Sequence, residues 1–339
     1  MRGGDAFPGT QITRRTVLGL MAASATIRAS GAGASSPLLS RPIPSTGETI
    51  PAVGLGTWRV FDVGGSAGER APLKDVLKSL LELGGRIVDS SPMYGTAESV
   101  VGDLAADLGI TDKLFLATKV WTSGREAGVA QMEQSLRRLR AQRLDLMQIH
   151  NLLDWRTHLR TLREWKAAGR IRYLGVTHYT ASAYDELERV LRAEDLDFVQ
   201  VNYSLGEREA ERRILPLARD RGVAVLANRP FAEGGLFQRV RAQAVPPWAA
   251  EFDCDSWAQF FLKWILANPA VTCAIPGTSR PQHLVDNLKA AVGKLPDAAM
   301  RERMAAHVVA ASGTRFTVSS RNNPFRSETP AASRGANPA

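Results

Sequence analysis

A closed (β/α)8 barrel of the TIM type is the fold class this 339-residue sequence predicts, on three observations. Eight short apolar runs recur between residues 52 and 279. Helical patterns lie between them, as a parallel sheet with helices outside requires. The first run lacks the glycine fingerprint of an open dinucleotide-binding sheet, since Trp58 and Arg59 stand where a glycine and a helix start belong. The runs, in order, are AVGLGTW (52–58), RIVDSS (86–91), LFLATKVW (114–121), LDLMQIHN (144–151), RYLGVTHY (172–179), DFVQVNY (197–203), VAVLANRPF (223–231) and VTCAIPGTS (271–279). The intervening PLKDVLKSLLELGG, GVAQMEQSLRRLRAQ and WRTHLRTLREWKAAGR have helical spacing, and several such stretches end in Gly or Lys/Arg, as helix C-termini prefer. Ahead of the first run, RPIPSTGETI (41–50) holds a Ser-Thr-Gly turn between two extended pieces and reads as an N-terminal β-hairpin covering the barrel bottom. The segment 232–256 is long for a loop and is expected to wall a pocket.

Charge and the two ends divide the chain further. The composition, 44% hydrophobic and 23% charged, is that of a globular protein, and the formal charge is +9. Four arginines against one aspartate in residues 1–34, and four against one glutamate in 314–339, leave only three net charges on the body. A nucleic-acid-binding face is therefore not expected. In TRRTVLGLMAASATI, Arg14 and Arg15 precede an apolar stretch too short to span a bilayer, and small residues ending at Ala34 follow. That layout resembles a twin-arginine export signal. The expected organisation is an export signal at 1–34, the barrel at 35–313 and an irregular, disordered tail at 314–339. The expected location is the periplasm, with the signal removed and no stable membrane anchor. Two cysteines, Cys254 and Cys273, make no disulfide framework, and without CxxC or clustered histidines no metal site is expected.

In such a barrel the strands deliver their C-terminal residues to one mouth, where active sites form. The second run ends in Asp89 with Tyr94 in its loop, the third at Lys119 and the fourth at His150. A phenol is a poor acid at neutral pH. An ammonium beside it favours the phenolate, and a carboxylate keeps that ammonium charged and aimed. Asp89 is thus expected to aim Lys119, and Lys119 to lower the pKa of Tyr94. His150 is expected to orient a carbonyl oxygen or share its proton. Such a set suits general acid catalysis at an oxygen whose carbon accepts hydride. After the last run, IPGTSRPQHLVDN (275–287) places Gly277, Thr278 and Ser279 just before a helix, a position suited to a phosphate.

VDSSPMYG, ATKVW and QIHN, in this order and spacing, resemble the motifs of the aldo-keto reductase family, and the resemblance extends from RPIPSTGETIPAVGLGTW to about Leu295. It implies the barrel already derived and an NAD(P)H-dependent reduction of an aldehyde or ketone to an alcohol. Tyr94 would be the general acid, and Asp89, Lys119 and His150 the rest of the tetrad. The alternative is a slow or non-catalytic nucleotide-binding, redox-sensing subunit. The resemblance also implies NADP in preference to NAD. Its nucleotide would be held by Gly56, Thr57, Trp58, Asp89, Thr177, His178, Gln200, Arg229, Pro230, Phe231, Gly277, Thr278, Ser279, His283 and Asn287, with Trp58 and Trp121 walling the substrate pocket. The chain departs from the family at Gly277 and His283, where relatives carry basic residues, with Arg280 placed to substitute. It departs also at Thr177 and His178, which replace serine and asparagine, and at Asn228, where some relatives carry a tyrosine. The expected partners are a small carbonyl substrate and the twin-arginine export machinery, and the expected state is a monomer.

Overall fold

The computed structural model describes residues 37–311, so the expected export signal and tail lie outside the described residues. Strands β1 (Ser40–Pro42) and β2 (Thr49–Pro51) pair antiparallel as the expected hairpin. Eight parallel strands follow: β3 (Leu55–Gly56), β4 (Ile87–Asp89), β5 (Phe115–Val120), β6 (Leu144–His150), β7 (Ile171–His178), β8 (Phe198–Asn202), β9 (Ala224–Asn228) and β10 (Cys273–Ala274). They are ordered sequentially. Bridges Val53↔Ala274 and Gly56↔Gly277 join the first strand to the last, which closes the barrel.

The seam strands are shorter than the apolar runs suggested. A Cβ on Gly56 would stand 2.7 Å from the Ile275 carbonyl oxygen, so the backbones approach only because none is present. The helices between strands begin with ordinary signals. Ser66 caps the helix Ala67–Glu82 by accepting the Glu69 N–H, and Ser256 caps Trp257–Leu266 by accepting the Gln259 N–H.

A two-residue period sorts the strand side chains. Val88, Leu116, Val120, Met147, Ile149, Leu174, Val176, Val199, Val201, Val225 and Ala227 face the helices and belong to the main core. Ile87, Phe115, Ala117, Leu146, Tyr173, Phe198, Ala224, Leu226 and Cys273 fill the barrel, and Ile43 and Ile50 of the hairpin cover them from below. Continuing the inward sequence toward the C-terminal ends gives Asp89, Lys119, Gln148, His150, Thr177, Gln200 and Asn228. On β4, β5, β6, β8 and β9 the interior thus changes from apolar to polar within one step of the strand.

The segment 232–256 corrects the expectation of a long loop. It contains a 3-10 turn at Ala232–Gly234, a helix at Gly235–Arg239 and a 3-10 helix at Pro247–Phe252. Each is too short to display a helical period in sequence. The helix Ala298–Ala311 then buries Met304 and Val308. Among the described residues no helix is long and apolar enough to cross a membrane.

Candidate active site

Three successive strands carry the expected tetrad to one place. Asp89 is the last residue of β4, Lys119 lies near the end of β5, and His150 ends β6. Tyr94 sits in the turn after β4. Thr57 anchors the start of that turn: its N–H and hydroxyl donate to the Asp89 carbonyl, and the hydroxyl also reaches Ser90 Oγ at 3.0 Å.

Lys119 is fully buried, and its ammonium donates to Asp89 Oδ2 at 2.7 Å and to the Ser90 carbonyl at 2.7 Å. The same nitrogen lies 5.1 Å from the centroid of the Tyr94 ring. The Tyr94 and His150 rings meet edge to face at 6.0 Å, and His150 Nδ1 is 3.1 Å from Ser91 Oγ. Trp121, 42% exposed, stands beside them with its ring centroid 6.4 Å from that of His150.

The electrostatics differ in one respect from the sequence reasoning. Burial is the largest influence on Tyr94 and raises its pKa above the ordinary phenol value; Lys119 opposes this and Asp89 reinforces it. The expectation that Lys119 would leave the phenol with a lowered pKa is therefore corrected. Desolvation of a charge depends on three-dimensional surroundings that spacing does not reveal. For Lys119, burial pulls the pKa down, but the charges of Asp89 and Tyr94 outweigh it and the net direction is up. His150 is held well below the ordinary imidazole value by burial, then by the charges of Lys119 and His178. Its imidazole is neutral at pH 7.

The other expected residues line the rest of the mouth. Thr177 and His178 end β7, Gln200 lies on β8, Arg229, Pro230 and Phe231 follow β9, and Gly277, Thr278 and Ser279 follow β10. The Gly56↔Gly277 bridge brings this last group beside Gly56, Thr57 and Trp58. The tetrad thus occupies the arc β4 to β6, and the residues expected to hold a nucleotide occupy the arc β7 to β10 and β3. Trp58 carries the Arg59 guanidinium over its ring at 4.4 Å. His178 Nδ1 accepts from the Thr180 N–H, and burial lowers its pKa. Arg280 precedes the helix Pro281–Lys289, on which His283 is exposed and Asn287 buried.

One link crosses the barrel. Gln200 Nε2 donates to Asp89 Oδ1 at 2.9 Å, while its Oε1 faces Thr177 Oγ1 at 3.5 Å and Asn228 Nδ2 at 3.4 Å. A second amide, that of Gln148, donates to the same Asp89 oxygen at 3.2 Å. Sequence reasoning missed Gln148, although a glutamine two residues before His150 in an apolar strand was the signal. Several buried polar atoms here have no partner: Gln148 Oε1, Asn151 Oδ1, Asn228 Oδ1 and Arg229 Nε. Arg229 itself adopts φ +51° and pairs with Glu233 through Nη2 at 2.8 Å. Among the described residues no three metal-binding side chains cluster.

Known proteins resemble this chain in sequence and fold. Methylglyoxal reductase YeaE of Escherichia coli (strain K12) is 32% identical over 246 residues, covering 70% of this chain and 84% of the relative. Among solved structures, an aldo/keto reductase from Klebsiella pneumoniae in complex with NADP and acetate superposes with a TM-score of 0.63 at 28% identity, covering 76% of this chain and 92% of that one. An aldo-keto reductase from the same organism in complex with NADPH gives 0.65 at 26% identity, covering 84% and 98%. The model of the aldo/keto reductase family matches residues 52–307, nearly the whole described barrel. With the tetrad gathered at the mouth of the barrel that this match spans, the chain belongs to the aldo/keto reductase family.

Proposed function

We propose that this protein reduces the carbonyl of a small aldehyde or ketone with NADPH, and that Tyr94 is the general acid. The observation that carries the reading is the chain from buried Asp89 and Lys119 to half-buried Tyr94, with a neutral His150 at its side.

The mouth fits a nicotinamide nucleotide. Buried atoms without partners on one arc, Asn228 Oδ1 and Arg229 Nε, are groups a polar ligand would satisfy. The close backbones at Gly56 and Gly277 and the helix start after Ser279 suit a phosphate. The residues that would hold the nucleotide are those named above on β3 and β7 to β10. When bound, the nucleotide supplies hydride to the carbonyl carbon. The family's relatives and its NADP- and NADPH-bound structures support this choice of cofactor.

The protein's own part is proton supply. A raised pKa keeps the Tyr94 phenol protonated at neutral pH, the form a donor must have. Lys119, aimed by Asp89, then stabilises the phenolate left behind, so its benefit falls mainly on the reaction step. His150, being neutral, offers Nε2 to orient the substrate oxygen without competing as a cationic acid. Trp121 supplies an apolar wall.

The test is NADPH-dependent reduction of methylglyoxal and a panel of aldehydes by wild type and Tyr94→Phe. Wild type is expected to turn over, and the variant to lose about 100-fold or more of kcat with its nucleotide affinity intact. An unimpaired variant would remove Tyr94 from its role. Absence of wild-type turnover with tight nucleotide binding would favour a binding subunit instead.

We also propose that residues 1–34 direct export and that the mature protein works in the periplasm after cleavage near Ala34. Arg14, Arg15 and the apolar stretch behind them support this. Cell fractionation with N-terminal sequencing checks it: an uncleaved cytoplasmic chain, unaffected by Lys at both arginines, would refute it.

A further inference from the structure

Gln148 has no role in the proton-transfer chain as described, yet it is fully buried and its amide is tied to the tetrad. It lies in register with Lys119 on one side and Gly175 on the other. Gly175 has no side chain, and a Cβ there would sit 2.6 Å from the Phe198 carbonyl oxygen. The amide is therefore flanked by Lys119 and by a glycine whose side-chain space is taken up by Phe198.

An Asp89 carboxylate only accepts hydrogen bonds, so Gln148 must turn its nitrogen toward Oδ1. Its own carbonyl oxygen is left buried and without a partner. An apolar residue of similar volume would avoid that unpaired atom, as the flanking Leu146 does on the same face. A polar residue kept in this position at such a cost has a job at its other end. That job is visible in the division of Asp89: Oδ1 receives Gln148 and Gln200, and Oδ2 receives Lys119. With one oxygen held by two amides, the carboxylate cannot swing about its side-chain torsion, and Oδ2 stays on the ammonium. Lys119 is in turn fixed by Oδ2 and the Ser90 carbonyl, which leaves its third hydrogen directed at Tyr94.

We propose that Gln148 is a positioning residue for proton transfer, holding Asp89 Oδ1 so that the Asp89–Lys119 pair stays aimed at the Tyr94 phenol. The inference rests on Tyr94 being the proton donor. Gln200 shares the grip, but it stands on the arc where the nucleotide is expected. Gln148 stands within the tetrad arc, between Lys119 and His150. Loss of Gln148 should therefore act on the reaction step and leave nucleotide binding alone.

Wild type, Gln148→Met, Gln148→Glu and Tyr94→Phe are compared for kcat and KM toward methylglyoxal across pH, for the NADPH dissociation constant, and for thermal unfolding. Ultraviolet difference titration against Tyr94→Phe reads the ionisation of Tyr94 directly, without turnover. Gln148→Met is expected to lower kcat about ten-fold with KM and the NADPH constant unchanged, the loss of one charge-assisted hydrogen bond. Its Tyr94 titration, and the alkaline limb of the reduction profile, should move up by about half a pH unit or more as Lys119 loosens. Gln148→Glu should be the poorer enzyme at neutral pH and recover as pH falls, because its introduced carboxyl repels Asp89 when charged and can donate once protonated. A folded Gln148→Met with wild-type kcat and titration would overturn the proposal. If that variant fails to fold, a Gln148→Glu profile parallel to wild type would overturn it equally. An active Tyr94→Phe would instead refute the underlying assignment of the acid, whatever Gln148 does.

Discussion

The two mouths of this barrel are both built from buried or half-buried charges, but they use them in opposite ways. At the bottom, Glu48 of the hairpin turn takes the guanidinium of Arg86 at 2.9 Å, that of Arg172, and the Tyr173 hydroxyl at 2.6 Å. Arg172 spends its other nitrogen on Asp145 at 2.7 Å. These groups keep partial contact with solvent, and each charge has its opposite. At the top, Asp89 and Lys119 are almost wholly withdrawn from water. Around them Gln148, Asn151, Asn228 and Arg229 each leave a polar atom without a partner. A completed network fastens a fold, whereas an incomplete one in a rigid frame is ready for something to bind. The lesson is that satisfaction, more than charge, distinguishes the end that fastens the fold from the end left open to a ligand.

Breaking the pair at the top gives the largest expected effect. Lys119→Met leaves the Asp89 carboxylate buried without its cation. It should cost about 3–5 kcal/mol in chemical unfolding and abolish reduction. A variant as stable as wild type would mean that the pair is not desolvated as the structure has it.

The next effect is a pH dependence. His150 titrates near 6.5 in an unfolded chain but well below that when folded. Below 6.5 the unfolded chain therefore binds more protons, and stability falls as pH drops toward the depressed folded value. Relative to His150→Gln, wild type should lose up to about 1.4 kcal/mol per pH unit across this window. Parallel decline of the two proteins in urea titrations at several pH values would show that His150 is not the cause.

At the bottom the smallest effect is the one on turnover. Glu48→Ala should cost about 1–3 kcal/mol through lost charge-assisted hydrogen bonds while leaving kcat and KM for methylglyoxal unchanged. A change in kcat would erase the distinction between the two mouths.

Much of this was legible in the sequence, because it depends on period and order. The eight runs gave the strands, and the acid, amine and imidazole at the ends of three of them gave the tetrad. What escaped depended on depth and on contacts across the barrel. Gln148 was passed over because an inward-facing amide resembles any strand residue until its partner, 59 residues away, is known. The direction of the Tyr94 shift was misread because Lys119 is visible in sequence and desolvation is not. Glu98, buried between Thr118 and Arg138, escaped for the same reason. The short helices of 232–256 escaped because a single turn has no period.

The closing seam has a consequence for how the protein is made. Arg41, in the first strand of the hairpin, donates to the carbonyls of Leu266, Asn268 and Val271, and its partner Val271 lies 230 residues further along the chain. The bridges from Val53 and Gly56 to Ala274 and Gly277 join equally distant segments. Nothing that leaves the ribosome early can make these contacts, so the first strand waits with one edge unpaired until nearly the whole barrel has been synthesised. Closure is then a single late event with a large loop entropy to overcome. During that wait the open edge is exposed to other chains, which makes the interval of synthesis, rather than the finished enzyme, the period of greatest risk of aggregation.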